Sequence, residues 1–465
     1  MKKTAILLAI FSASIFLANC GSNPKKEDEM ISPAPTVQAS VQDVPAPFLD
    51  HRSTVPPENV YKGPLFALNH DYPESPLPPM AEAPWQKALK GKPISKFNAI
   101  AYVDSLKAYV APMIRKFLYD RQNWSNAKEG WYQEPWTGII RESIMGAYIG
   151  SGFGPGTFTS LPDSAMTTYV LTFYDKRAAY TLGKLWGKTG KTVNLKNNAA
   201  QFDEGSIIVK FAFSTVNAPV WPVMQGALQF PIYDTSTSYH SNYMLEQVSF
   251  FQFDIIVKDT VTAPGTGWVF STLVYDKDAP GKTAWDKMIP LGAQWGNDPQ
   301  ANSTKDPKAP LKQNVINPAA PTYSIQTLGW GGRMSGPNDG AVIPQAVDVT
   351  THQTYKNLAA SSCMSCHSVA QDELLTFLLP GPFPSDTATF LPVYSPGGAQ
   401  WLQFFQNRHG GVPFNTGQVA LDFDMVTAFK SIPIYLNAGT SQEAIRAMHK
   451  VSRNFLLYNR KYNGR

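Results

Sequence analysis

The chain has 465 residues, of which 43% are hydrophobic, 12% aromatic and 16% charged, with a formal net charge of +5. This is the composition of a folded protein rather than of a disordered or low-complexity chain, and the length suits one large domain or two modest ones. The charge is mild and no basic stripe carries interleaved aromatics, which excludes nucleic acid as a partner.

Met1-Lys2-Lys3 is a basic start, and Thr4 to Ala18 is an apolar run too short to span a bilayer with margin. It ends in Leu17-Ala18-Asn19-Cys20, which resembles a bacterial lipoprotein cleavage box, although Asn19 replaces the usual small residue. The expectation is a lipoprotein signal peptide over 1–19 and a lipidated Cys20; the alternative is a secreted chain cut elsewhere. Either way the chain is exported to the cell envelope, on the periplasmic side or at the outer membrane. Lipid on Cys20 would make the membrane a partner.

Residues 20–84 read as a disordered tether. Pro24, Pro33, Pro35, Pro45 and Pro47 lie among Ser, Ala, Gln and mixed charge, and the proline-rich texture continues through Pro84. Ordered structure is expected only from near Trp85. Between Phe97 and Arg121, Ile100, Val103, Leu106, Val110, Met113 and Phe117 recur at helical steps, with Pro112 expected to kink or split the helix. The glycine-rich stretch Gly150 to Gly156 lacks the Lys-Ser/Thr ending of a phosphate loop, and Pro155 breaks any following helix, so it reads as a turn or a loop over a pocket.

From about 165 to 276 the texture is β. Thr167 to Tyr174 is one strand, and Lys176 to Trp186 is a short helix after it. Ile207, Val209, Phe211 and Phe213 face one way on a second strand, with Ile208, Lys210 and Ala212 opposite. Phe251, Phe253, Ile255 and Val257 alternate on a third, and Trp268 to Tyr275 is apolar on both faces. Residues 277–350 read as loop. After them, Gln371 to Leu379 reads as helix, Pro380 to Gly398 as loop, and Thr440-Ser441-Gln442-Glu443 as a capping box opening a C-terminal amphipathic helix.

Cys363-Met364-Ser365-Cys366-His367 carries the chemistry. Two thiols one short turn apart can add to the two vinyl groups on one edge of a haem, and the following imidazole can then ligate its iron. A thioredoxin-like dithiol would need a βαβ surround, which the sequence lacks, and a zinc site would need a second ligand pair, which it also lacks. One covalent haem c is therefore expected, with Cys363 and Cys366 as anchors and His367 as the iron ligand. Attachment of haem c outside the inner membrane agrees with export. With Cys20 lipidated, no cysteine is left for a structural disulfide.

Four further pieces precede the motif in order. They are Phe173-Tyr174-Asp175 with Ala178-Ala179-Tyr180; Phe202-Asp203-Glu204-Gly205-Ser206-Ile207-Ile208-Val209-Lys210; Phe253-Asp254-Ile255-Ile256-Val257-Lys258-Asp259; and Thr266-Gly267-Trp268-Val269-Phe270. Together with the motif, they resemble the cytochrome P-460 and cytochrome c-prime-beta family over roughly 165–370. The resemblance implies an α+β chain whose haem domain, 85–370, is an antiparallel β-sheet with an N-terminal helix. It also implies a fold that is often dimeric and a haem with an open distal face, as in relatives that oxidise hydroxylamine or bind nitric oxide or carbon monoxide. Lys210 matches the position of the lysine that crosslinks to porphyrin in one branch; a lysine facing haem would have a lowered pKa and act as a nucleophile, whereas the alternative is a solvent-facing strand lysine. The chain departs from the family in its long 371–465 extension, read as a helical C-terminal part packing on the haem domain, and in the long gap before the motif.

Three functions compete. An electron-transfer cytochrome, handing electrons to a redox partner protein, needs a sixth ligand; Met425 is the leading thioether, with Met448 and His449 as rivals and plain core packing as the ordinary role of such a methionine. An open-site haem enzyme or gas-binding protein would act on small nitrogen compounds. A non-haem envelope lipoprotein requires the motif to be accidental.

Overall fold

A run of alternating β-branched and aromatic residues from Met244 to Lys258 forms the longest strand of the molecule, and a large sheet is laid out around it. In the computed structural model, residues 47–51, 55–80, 82–234, 243–376, 378–384 and 390–437 are described. The strands are β1 (Tyr148–Phe153), β2 (Met166–Tyr174), β3 (Ile207–Ser214), β4 (Gln229–Asp234), β5 (Met244–Lys258), β6 (Trp268–Tyr275), β7 (Met288–Gln294) and β8 (Asn314–Ile316). They pair antiparallel in the order β1-β2-β3-β5-β6-β7-β8, with β4 on the first part of β5. A small second sheet has β9 (Val342–Asp348) between β10 (Thr354–Ala359), antiparallel, and β11 (Leu391–Val393), parallel. The chain is thus α+β, with a large antiparallel sheet and few helices.

Both faces of the large sheet are covered. On β3, Ile207, Val209, Phe211 and Phe213 join a core cluster with Tyr102, Val103, Leu106, Val110, Ile114 and Phe117 of the helix Ala99–Tyr119. The opposite face contributes Ile208, Ile256, Trp268 and Phe270 to a second cluster. That cluster takes in the helix Lys176–Trp186, the motif residues Cys363 and Met364, and side chains between Trp401 and Ile434. Asp175 caps the helix Lys176–Trp186 by accepting from Ala178 N at 2.8 Å, and also accepts from Ile207 N at 3.2 Å, which ties the helix start to β3.

Several expectations need correction. Pro112 does not split the helix Ala99–Tyr119, which runs through it as one element of 21 residues. Pro112 sits on its exposed side, while Val110, Ile114 and Phe117 anchor both flanks in the core. The glycine-rich stretch enters β1, with a bulge between Ile149 and Gly152, instead of forming a loop over a pocket. The stretch 277–350 contains β7, β8 and β9; Pro290 and Gly292 inside β7 mask the strand pattern. Gln371 to Leu379 is not a helix: Gln371 bridges to Ala420, Thr376 bridges to Pro382, and Leu378 has a φ of +66°.

The proline-rich segment ahead of Trp85 is not a free tether throughout. Phe66, Asn69 and Tyr72 are buried, and Arg177 donates to the carbonyls of Leu77 at 3.2 Å and Pro78 at 2.8 Å. Prolines preset an extended backbone there, and a few aromatic anchors are enough to seat it. The expected signal peptide, Cys20, the capping box at 440–443, Met448 and His449 lie outside the described residues. Among the described residues, no helix is long and apolar enough to cross a membrane.

Candidate functional site

The motif forms a single helical turn, Cys363–His367, and its start is fixed twice over. Ser362 Oγ accepts from Ser365 N at 3.2 Å, and Ser365 Oγ accepts from Ser362 N at 2.8 Å, a reciprocal capping box. Gln294, at the end of β7, accepts from Met364 N at 3.0 Å and donates to Ser362 Oγ at 3.2 Å. The turn is thereby docked on the second face of the sheet. Helical geometry sets the two cysteines, three residues apart, on one side of the turn. Both thiols are free.

His367 is held from behind. Its Nδ1 lies 2.8 Å from the carbonyl oxygen of Phe423. A carbonyl only accepts, so Nδ1 carries the proton and Nε2 keeps its lone pair. Burial pushes the imidazole pKa down to about 4, which leaves the ring neutral at physiological pH. The Phe270 ring packs against its edge, with centroids 4.8 Å apart. A neutral imidazole with its Nδ1 proton held by a carbonyl can donate the Nε2 lone pair to a metal. Cys366 and His367 retain partial solvent access within otherwise buried surroundings.

A polar row crosses the same face. Register places Thr172, Lys210, Asp254 and Thr272 side by side on β2, β3, β5 and β6. Lys210 Nζ lies 2.8 Å from Asp254 Oδ2 and 2.8 Å from Asp339 Oδ1. Thr272 Oγ1 donates to Asp254 Oδ1 at 2.7 Å, and Gly336 N donates to Asp339 Oδ2 at 2.7 Å. That same Oδ2 is 3.6 Å from the Cys363 sulfur, which donates to it. Burial works against the Lys210 charge, but the two carboxylates outweigh it and hold its pKa well above the ordinary lysine value. The expected lowered pKa and nucleophilic amine are therefore corrected. Lys210 is one carboxylate away from the motif, and it is a paired ammonium. Burial, reinforced by Asp339, also raises the Cys363 thiol, and burial pushes Cys366 up to about 12, so both stay protonated.

Met425 is buried in the second cluster. It lies two residues beyond Phe423, whose carbonyl oxygen contacts His367 Nδ1. Among the described residues, no group of three or more His, Cys, Asp or Glu side chains is arranged to hold a bare metal ion. The donor set present, two thiols and one neutral imidazole within five residues, suits iron that arrives inside a porphyrin.

The sequence singles out Cys363, Cys366 and His367 but not Asp254, Asp339, Gln294 and the Phe423 carbonyl, which the structure brings beside them. Asp254 had a signal, being a charge at an alternating position in an otherwise apolar strand. Asp339, in the turn Asn338-Asp339-Gly340, had none, and a backbone carbonyl leaves no trace in a sequence. No family model, curated protein or solved structure matches the chain.

Proposed function

We propose that the chain is an exported monohaem c-type cytochrome with a redox role, its haem bound through Cys363 and Cys366 and ligated by His367. The observation that carries this reading is the 2.8 Å contact between His367 Nδ1 and the Phe423 carbonyl, beside two free thiols in one helical turn. The bound haem would supply one-electron chemistry at iron; this chain's residues hold the ring, orient the imidazole and surround the site with the Lys210 carboxylate pair. The resemblance to cytochrome P-460, the lipid anchor on Cys20, the envelope location and a separate redox partner belong to the same proposal.

The second reading is an open-site haem protein acting on small nitrogen compounds. The protein should be made in a host that matures cytochromes, then weighed and examined by visible absorption. The mass of one haem per chain, lost in Cys363→Ala/Cys366→Ala, supports the haem reading; a colourless chain without that mass ends it. A low-spin six-coordinate spectrum favours electron transfer, and a high-spin spectrum that shifts with carbon monoxide favours the open site. If Met425 is the sixth ligand, Met425→Ala should convert a low-spin spectrum to high spin. An unchanged spectrum in that variant would remove Met425 as the ligand.

A further inference from the structure

The carbonyl that backs His367 is presented by an unusual piece of backbone. Asp422 and Phe423 are consecutive non-glycine residues with φ of +47° and +68°. Such a pair is sterically disfavoured and persists only where its surroundings dictate it, and outliers of this kind collect at functional sites. Here the surroundings can be named. The Asp422 side chain is fully buried, and its Oδ1 lies 2.6 Å from Lys258 Nζ and accepts from Trp268 Nε1 at 2.7 Å. Its Oδ2 accepts from Phe202 N at 2.8 Å. Its own N–H donates to the Gly410 carbonyl at 3.2 Å, and a Cβ on Gly410 would stand 1.6 Å from Asp422 Oδ1. One residue earlier, Leu421 N donates to the Ala370 carbonyl at 3.0 Å, which stitches the turn to the chain just past the motif.

We infer that Asp422 is a positioning residue for His367: its buried carboxylate locks the left-handed turn that aims the Phe423 carbonyl at Nδ1. This rests on the reading of His367 as a haem ligand. A carbonyl partner on Nδ1 raises imidazole basicity and so favours ferric iron. Loosening the turn weakens that bond and raises the midpoint potential. Asp422→Ala removes all three side-chain contacts and puts alanine where the left-handed conformation is unfavourable. Asp422→Asn keeps a residue that tolerates it, with one oxygen to accept from Trp268 but none for Phe202 N.

The test uses the full-length haem-loaded protein and measures midpoint potential, thermal midpoint and haem mass. Asp422→Ala is expected to carry one haem at a raised potential, with Asp422→Asn recovering part of the shift. A lowered thermal midpoint at wild-type potential in Asp422→Ala would make Asp422 a purely structural residue and overturn the inference. If Asp422→Ala does not fold, Trp268→Phe removes a single hydrogen bond to the same oxygen and should shift the potential the same way by less; an unchanged potential there also overturns the inference. A wild-type chain without haem would instead sink the proposed function, so the two failures are distinguishable.

Discussion

Lys210, Asp254 and Asp339 put one cation between two carboxylates under the motif, a grouping that is costly to break from either side. Lys210→Met should strand both carboxylates and destabilise the fold by about 3–5 kcal/mol, read from urea unfolding. Adding Asp339→Asn to that variant should restore part of the loss; full additivity would mean that the three groups do not act as a unit. His367 gives a pH signature in chain made without haem. Its pKa is near 4 in the folded state against about 6.5 unfolded. Between those values the unfolded chain binds the proton first, so this contribution is complete above about pH 6.5. It is lost as pH falls through 4, by about 3 kcal/mol in all. The stability difference between wild type and His367→Gln should shrink over that range, and a pH-independent difference would contradict the buried neutral ring. At this scale the motif residues were legible because their spacing alone sets them apart. Phe423 and Asp339 were not, because they act through a main-chain oxygen and a turn that only the fold brings near.

Whole elements were legible where one signal dominated. The helix Lys176–Trp186 and β6 were found at their observed bounds, since a capped amphipathic turn and a doubly buried apolar run have few competing readings. β7 was hidden by Pro290 and Gly292, and the stretch 371–379 was misread because its leucines crowd too closely to show a period. Pro112 is the informative error. The long helix accepts a residue that deprives the Ala108 carbonyl of its helical donor, because packing on both flanks outweighs the local cost. Pro112→Ala should therefore stabilise the protein by about 2 kcal/mol, after allowing for the extra freedom it gives the unfolded chain. A neutral or destabilising result in equilibrium unfolding would show that the helix has a bend that the proline serves.

The large sheet has two unlike faces. The first face meets the long helix through a continuous apolar cluster and needs nothing else. The second combines the polar row, the motif turn and the chain from Trp401 to Ile434, which contributes no strand to the large sheet. Only the first face could be inferred from alternation along single strands; the second is assembled from segments over two hundred residues apart, such as Tyr174, which donates to Asp424 at 2.9 Å. A group bound covalently at Cys363 and Cys366 and ligated by His367 would stabilise the state in which this second cluster is closed, by linkage, and would do little for the first. Hydrogen exchange on haem-loaded and haem-free protein should therefore differ by region. Residues 363–370 and 399–437 should lose protection without haem, while β2, β3 and the helix Ala99–Tyr119 keep theirs. Equal loss across both faces would mean that the two clusters unfold as one unit and that the haem site is no separate clamp.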